Sequence, residues 1–258
     1  MKVTSSMPVD LSVIVPAYNE AARIDYGVHA IMAYLRGCKW SWELIVVDDG
    51  STDDTADKVC NVVADETRAR LIQYRPNRGK GFAVRTGVLA SKGNWVVFLD
   101  ADLSTPVDEI DRALSRLQSG VDLIIGSRGL PDSHIERKAP FFRRMSSAAF
   151  DHIRNTIVGL NEFSDTQCGF KVALAEAVRP LYERAVIERF MFDVEILFLA
   201  NQEGLRIEEL PVRWADCPGS TVRFFPGVYR MFRDLLRIRR LHGHLSMHPS
   251  VHSNTPSS

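Results

Sequence analysis

A run of apolar residues ending in two carboxylates constrains this chain most. Residues 96–104 read V-V-F-L-D-A-D-L-S. Four apolar residues, β-branched and aromatic among them, mark a strand buried on both faces, as in a parallel sheet covered by helices. Asp100 and Asp102 then stand at the strand's C-terminal end, where open α/β sheets bind ligands. In extended backbone, residues two apart point the same way, with about 7 Å between Cα atoms. Carboxylates so placed repel each other unless a cation lies between them. A hard divalent cation held by few protein ligands fills its other positions with phosphate oxygens and water. An isolated D-x-D is more often a pair of solvated loop acids, so its weight depends on the rest of the chain.

The same pattern recurs. Leu11–Pro16 is a short buried strand followed by Ala17-Tyr18-Asn19-Glu20 and a helix over 21–35 with Asn19 as N-cap. Residues 43–47 form a second strand ending in Asp48-Asp49-Gly50-Ser51, and a helix opens at Thr52 with acids in its first turn. A third strand spans 70–74, and N-R-G-K-G (77–81) leads a helix to Ser91. The D-x-D strand is followed by a helix starting at Pro106, then a fifth strand over 121–125. Strand and helix alternate five times, which predicts an α/β chain with a mostly parallel sheet and right-handed crossovers. Glu20, Asp48, Asp49, Asp100 and Asp102 gather on one sheet edge, where they need a cation or the donors of a ribose or base.

The second half is less regular. Helices are expected over 140–158, 173–185, 192–203 and 227–241, with a polar loop at 164–171 and a strand over 206–214. Residues 246–258 are polar, Pro-containing and without apolar period, which predicts a disordered tail. No linker divides residues 1–245, read as a single domain.

Lys plus Arg equals Asp plus Glu at 32 each, so the global charge does not favour a nucleic-acid binder. Local charge is more telling: six arginines lie between Arg223 and Arg240 against the single acid Asp234. The four cysteines are widely spaced with no C-x-x-C pair, which argues for reduced thiols. No apolar run approaches the ~18 residues of a membrane span. The spacing of Gly79-Lys80-Gly81 is not that of a P-loop, and the first strand lacks the G-x-G-x-x-G of a dinucleotide fold.

Taken in order, V-P-A-Y-N-E (15–20), V-V-D-D-G-S-T-D (46–53), N-R-G-K-G-F-A-V-R-T-G (77–87) and D-A-D-L-S (100–104) resemble the inverting family-2 glycosyltransferases of the GT-A fold. G-S-R (126–128), D-T-Q-C-G-F-K (165–171), E-R-F-M-F-D-V-E (188–195) and V-R-W-A-D-C-P-G-S (212–220) narrow the resemblance to the polyprenyl-phosphate sugar transferases. The glucosyl branch is nearer than the mannosyl one. The resemblance implies that residues 11–128 bind a nucleotide sugar and that 129–245 face the acceptor and the membrane. Pro16, Tyr18, Glu20, Val47 and Asp49 would hold the nucleoside, with Lys80, Leu99 and Ala101 adjoining the donor. Asp100, Asp102 and Ser104 would hold Mg²⁺ or Mn²⁺, Ser104 standing where some relatives carry Gln. Arg128 would sit near the phosphates or sugar. Arg143 and Ser147 would meet a polyprenyl or dolichyl phosphate, and Arg223 would close over the diphosphate.

Other side chains keep two readings. Asn77, Arg78 and Lys80 either seat donor phosphates at a helix start or simply begin the helix. Asp165 either orients the acceptor or caps the next turn. Cys168 reads as a packing residue. Glu188, Arg189, Asp193 and Glu195 read as a local ion-pair group, and all seven histidines as surface residues. On the helix over 141–158, Arg143, Ser147, Asp151 and Arg154 make one polar stripe. On the last helix Arg230, Arg233, Arg237 and Arg240 make another, which suits peripheral docking at a cytoplasmic membrane face. A phosphate acceptor already carries about −1.5 to −2 charge and needs cations, whereas a hydroxyl acceptor needs a general base. The alternatives are therefore a soluble family-2 transferase with a hydroxyl acceptor, mannosyl transfer from GDP-mannose, and a non-catalytic sugar-nucleotide-binding partner, against which the intact D-x-D argues.

Overall fold

The apolar runs find one another in a seven-stranded sheet of order β3-β2-β1-β4-β7-β5-β8. A computed structural model describes residues 9–136, 141–215 and 224–243, and within them the side chains outside 141–149 and 224–228. The first half contributes β1 (Leu11–Ala17), α1 (Ile24–Gly37), β2 (Trp42–Asp48), α2 (Thr55–Val63), β3 (Ala69–Gln73), α3 (Lys80–Ala90), β4 (Trp95–Leu99), α4 (Glu109–Leu117) and β5 (Leu123–Ser127). The second contributes β6 (His134–Ile135), α5 (Phe141–Val158), β7 (Phe170–Leu174), α6 (Ala175–Arg184), α7 (Phe192–Gln202), β8 (Ile207–Pro211), β9 (Arg213–Trp214) and α8 (Phe224–His242).

Side-chain alternation along β1 explains the layers. Val13 and Val15 face α1 and α4 through Val28, Ile31, Ile110 and Leu114, whereas Ile14 faces α3, α6 and α7 through Val84, Val178 and Ile196. Each such fully buried aliphatic side chain contributes about 1.5–3 kcal/mol. Because β1 pairs in parallel with both β2 and β4, their C-terminal ends share one edge, and the strand order reverses there. The α/β class expected from the strand–helix alternation is the one observed.

Several local expectations are corrected. The strand β7 falls where a loop and the start of a helix are expected, and it lies between β4 and β5, antiparallel to both. Its sequence F-K-V-A-L is short, carries a lysine and runs directly into α6, so no periodicity marks it. Asn19 does not cap α1; it lies before Arg23, the residue that precedes the helix, with φ of 54°, and its Oδ1 accepts the Thr52 N–H (2.8 Å). The helix α4 begins at Glu109, after a turn opened by Pro106. Arg154 is not on a solvent-facing stripe: it is almost wholly buried, donating to Thr166 Oγ1 (2.9 Å) and the Phe163 carbonyl (3.1 Å), while Ile153 is exposed. Hydrogen-bond satisfaction inside the fold has overridden amphipathic periodicity. The predicted tail at 246–258 lies outside the described residues.

His242 is another correction, being buried rather than on the surface. Its Nε2 lies 2.8 Å from Glu195 Oε1. Glu195 itself has no exposed surface and also accepts the Val186 and Ile187 N–H groups (2.8–3.1 Å). The last turn of α8 is thereby pinned to α7. His242→Ala should lower unfolding stability by about 1–3 kcal/mol, the cost of stranding a buried acceptor. Urea denaturation checks this, and an unchanged midpoint contradicts the pinning.

Candidate active site

The site begins with the loops that follow β1 and β2. Asn19 N–H donates to Ser51 Oγ (2.9 Å) and Glu20 N–H to Thr55 Oγ1 (2.8 Å), so the two loops are laced together. Gly50 has a φ of +71°, and a Cβ there would stand 2.8 Å from the Asn77 nitrogen, so the second loop presses on the segment leading into α3.

Asp49 ties that contact down. Its buried carboxylate accepts from Tyr74 Oη (2.9 Å), Asn77 Nδ2 (2.7 Å), Arg78 N–H (2.8 Å) and Gly79 N–H (2.7 Å). Burial, then the Asp49 contact, holds the Tyr74 phenol well above its ordinary value, so it remains a donor. Arg78 pairs with Glu188, and the Glu188 carbonyl accepts the Phe82 N–H (2.9 Å). Gly79, at φ +117°, leaves no room for a side chain beneath that carbonyl.

This framework places Lys80 at the first position of α3, with Nζ 2.7 Å from Asp100 Oδ1. Burial by itself lowers the Lys80 pKa, but the carboxylates of Asp100, Asp193 and Asp102 together outweigh it and the ammonium is held above its ordinary value. Asp102 Oδ1 accepts the Ser104 N–H (3.0 Å), and its Oδ2 lies 4.0 Å from Arg23 Nη1. Arg23 is itself paired with Glu20. The turn between the acids and Ser104 is strained, with Leu103 at φ 52°, a conformation typical of functional sites. Behind it, α1 approaches closely because Gly27 has no side chain: a Cβ would stand 2.4 Å from the Ala101 carbonyl.

The antiparallel strand supplies the opposite wall. The Asp100 N–H donates to the Gly169 carbonyl (3.1 Å), and a Cβ on Gly169 would fall 1.7 Å from Asp100 Oδ2. Two residues on, Lys171 Nζ reaches Asp193 Oδ1 (2.6 Å) in a pair with about 5% exposure on each side. Burial raises the Asp193 pKa, offset in part by Lys171 and Lys80. Arg128 clasps Asp165 through Nε (2.6 Å) and Nη2 (3.0 Å) and lies over the Trp214 ring. Burial pushes Asp165 up, but the Arg128 hydrogen bonds and charge prevail and hold it below the ordinary carboxylate value. Cys168 is fully buried and its thiol is pushed up to about 11 by burial, so it packs and does not react.

The structure thus brings Glu20, Lys80, Asp100 and Asp102 to one edge in two ion-paired sets, Glu20–Arg23–Asp102 and Lys80–Asp100. Tyr18 is exposed at the same edge, Pro16 half-buried, and Val47, Leu99 and Ala101 buried. Ser104 joins through its backbone, its carbonyl accepting the Ala215 N–H (2.9 Å). Arg143 and Ser147 belong to α5 with undescribed side chains, and Arg223 lies outside the described residues. The ion-pair group expected of Glu188, Arg189, Asp193 and Glu195 is corrected: the acids pair instead with Arg78, Lys171 and His242, because the helix and its entry loop face three different segments. Sequence reasoning passed over Arg23, which no motif marks, and Gly169, whose role depends on a strand it did not find.

Two carboxylates on an open sheet edge, with only oxygen donors, fit a hard divalent cation that takes its remaining ligands from phosphate and water. Among the described residues no group of three or more Asp, Glu, His or Cys offers a ready cage. The arrangement therefore suits a metal shared with a bound anion.

The model of glycosyl transferase family 2 matches residues 12–179, and the chain belongs to that family. It is a glycosyltransferase of the GT-A fold. Similarity to individual proteins reaches further along the chain. A dolichyl-phosphate β-glucosyltransferase from Dictyostelium discoideum is 35% identical over 92% of this chain and 77% of the relative. The human protein of that name is 34% identical over 89% and 74%. The crystal structure of glucosyl-3-phosphoglycerate synthase from Mycobacterium tuberculosis with Mn²⁺, UDP and glucosyl-3-phosphoglycerate superposes at a TM-score of 0.63. That likeness, at 20% identity, covers 94% of this chain and 82% of the other.

Gly169→Ala tests the wall behind Asp100. The added methyl displaces the carboxylate, and a displacement of about 1 Å at a reacting centre costs on the order of 100-fold in rate. Transfer should fall by about that factor, with a cooperative thermal transition retained. Unaltered turnover would show that Asp100 does not depend on this contact.

Proposed function

We propose that the chain transfers glucose from UDP-glucose to a polyprenyl or dolichyl phosphate, with inversion and with the help of Mg²⁺ or Mn²⁺, while docked peripherally on a membrane. The observation that carries this reading is the extent of similarity to dolichyl-phosphate β-glucosyltransferases. A match over 92% of the chain runs well past residue 179, into the half expected to meet the acceptor.

The chemistry of the site supports it. A divalent cation on Asp100 and Asp102 would offset the charge growing on the leaving diphosphate. Lys80, at the α3 N-terminus, adds a cation where phosphate is favoured. Tyr18, Pro16 and the backbone around Val47 form the nucleoside side, while the Asp49 carboxylate acts by fixing the loop. Arg128, held by Asp165, presents its charge beside Trp214 on the acceptor side. Asp165, Asp193 and Glu195 are committed to Arg128, Lys171 and His242, so the role of a general base falls to none of them. A phosphate acceptor needs no such base.

The outer face of α8 supports membrane contact. Leu235, Ile238 and His242 face inward, while Tyr229, Phe232, Leu236 and Leu241 are exposed among Arg230, Arg233, Arg237, Arg239 and Arg240. Among the described residues no helix is long and apolar enough to cross a membrane. Exposed aromatic and aliphatic groups between arginines suit the interface of an anionic bilayer.

Purified protein given Mn²⁺, a short polyprenyl phosphate and either radiolabelled UDP-glucose or GDP-mannose should glucosylate the lipid and use mannose poorly. Chelator should abolish the reaction, and Asp102→Asn should reduce it at least about 100-fold with little change in melting temperature. Transfer to a hydroxyl acceptor alone, or preference for GDP-mannose, overturns the corresponding part of the assignment.

Binding to anionic liposomes should weaken steeply as salt rises. At about 1 kcal/mol for each arginine near the surface, replacing Arg237, Arg239 and Arg240 with Ala should weaken it by up to about 100-fold and spare UDP affinity. Sedimentation with liposomes reads this directly, and indifference to both salt and the substitutions removes α8 as the docking face.

A further inference from the structure

Each acid of the D-x-D already faces a cation of the chain, but the two cations are held differently. Arg23, near Asp102, is tied through Nε and Nη2 to both oxygens of Glu20. Lys80, on Asp100, sits on a flexible four-carbon stem at the start of α3. Asp100 has little choice of approach. Its Oδ2 packs against Gly169, where even a methyl group would overlap it, so its open side is Oδ1, which Lys80 occupies at 2.7 Å. The pair remains partly solvent-accessible, with 25% of the Lys80 side chain and 30% of the Asp100 side chain exposed. Beneath it, the Lys171–Asp193 pair is closed off, and both ammonium groups lie near the same ring, 5.1 and 5.8 Å from the centroid of Phe98.

An ammonium and a divalent cation cannot both sit on Oδ1 without strong repulsion. Moving Lys80 away leaves a half-buried ammonium unpaired, which is unfavourable unless another anion receives it. A diphosphate at the α3 N-terminus is such an anion.

We propose that Lys80 is an exchangeable counter-ion, which holds Asp100 in the free enzyme and passes to the donor diphosphate as a divalent cation takes its place. The proposal rests on the metal and diphosphate assigned to this site above. Its consequence is that metal and nucleotide bind interdependently. Linkage requires the coupling to be reciprocal, each raising the affinity for the other by the same factor. Lys80 strengthens that coupling beyond what direct metal–phosphate contact supplies, because it opposes the metal when alone and favours the diphosphate once displaced.

The test is Mn²⁺ binding followed by the electron paramagnetic resonance of free Mn²⁺, with and without UDP, in the wild type, Lys80→Met and Lys80→Gln. Thermal melting establishes that the variants are folded. Without UDP, both variants should bind Mn²⁺ about tenfold more tightly than the wild type. The factor by which UDP tightens Mn²⁺ binding should shrink about tenfold in both. In a crystal of the wild type with Mn²⁺ and UDP, Lys80 Nζ should contact a phosphate oxygen and have left Asp100. If the variants bind Mn²⁺ no better than the wild type without UDP, or if Lys80 stays on Asp100 Oδ1 in the ternary crystal, the exchange is refuted and the metal site stands. If no form binds Mn²⁺ even with UDP, the metal site falls and the exchange falls with it.

Discussion

A single buried carboxylate organises the sheet edge that carries the D-x-D. Asp49 sits at the end of β2 and gathers four donors from the Tyr74–Gly79 segment. Each is a charge-assisted hydrogen bond, and together they fix where α3 begins. That start point sets the position of Lys80, and Lys80 in turn pairs with Asp100. The parallel sheet brings the strand ends to one edge. The Asp49 hub converts that edge into a defined geometry, because an irregular connecting segment would otherwise have many conformations.

How much of this was legible depended on whether a residue's partner was near in sequence. The strands of the first half were readable because burial on both faces writes uninterrupted apolar runs, as in L-I-V-V and V-V-F-L. The D-x-D stood out for the same reason, since carboxylates after such a run have no packing role. The strand β7 was not legible: five residues with a lysine at the second position resemble a loop until Asp193, from a distant helix, is known to meet that lysine. Arg154 and His242 show the same limit. Both look like surface residues by type and spacing, and both are buried by partners that local pattern cannot supply.

Charge in this protein is organised in depth. Lys171 and Asp193 form a closed pair beneath the site, Lys80 and Asp100 a reachable pair at its floor, and Arg128 with Asp165 a clasp to one side. Inner pairs of this kind add little net stability, because desolvation offsets their attraction. They fix orientation instead: Asp193 holds Lys171 and Asp165 holds Arg128, while Asp100 itself holds Lys80. On the far surface, α8 packs inward through Leu235 and Ile238 and leaves an outer face of arginines and exposed rings.

The antiparallel placement of β7 also bears on the order in which the protein is built. Strands β1 to β4 are neighbours in sequence and can pair as soon as residue 99 is available. The free edge of β4 then waits for Phe170–Leu174, some seventy residues later, before the sheet can extend to β5 and β8. During synthesis at about 5–20 residues per second, that edge is left unpaired for several seconds. Asp100 gains the backbone of Gly169 only when the gap closes. The half of the chain that carries the acids can therefore be made early, but the final setting of Asp100 arrives late, when the two halves have met.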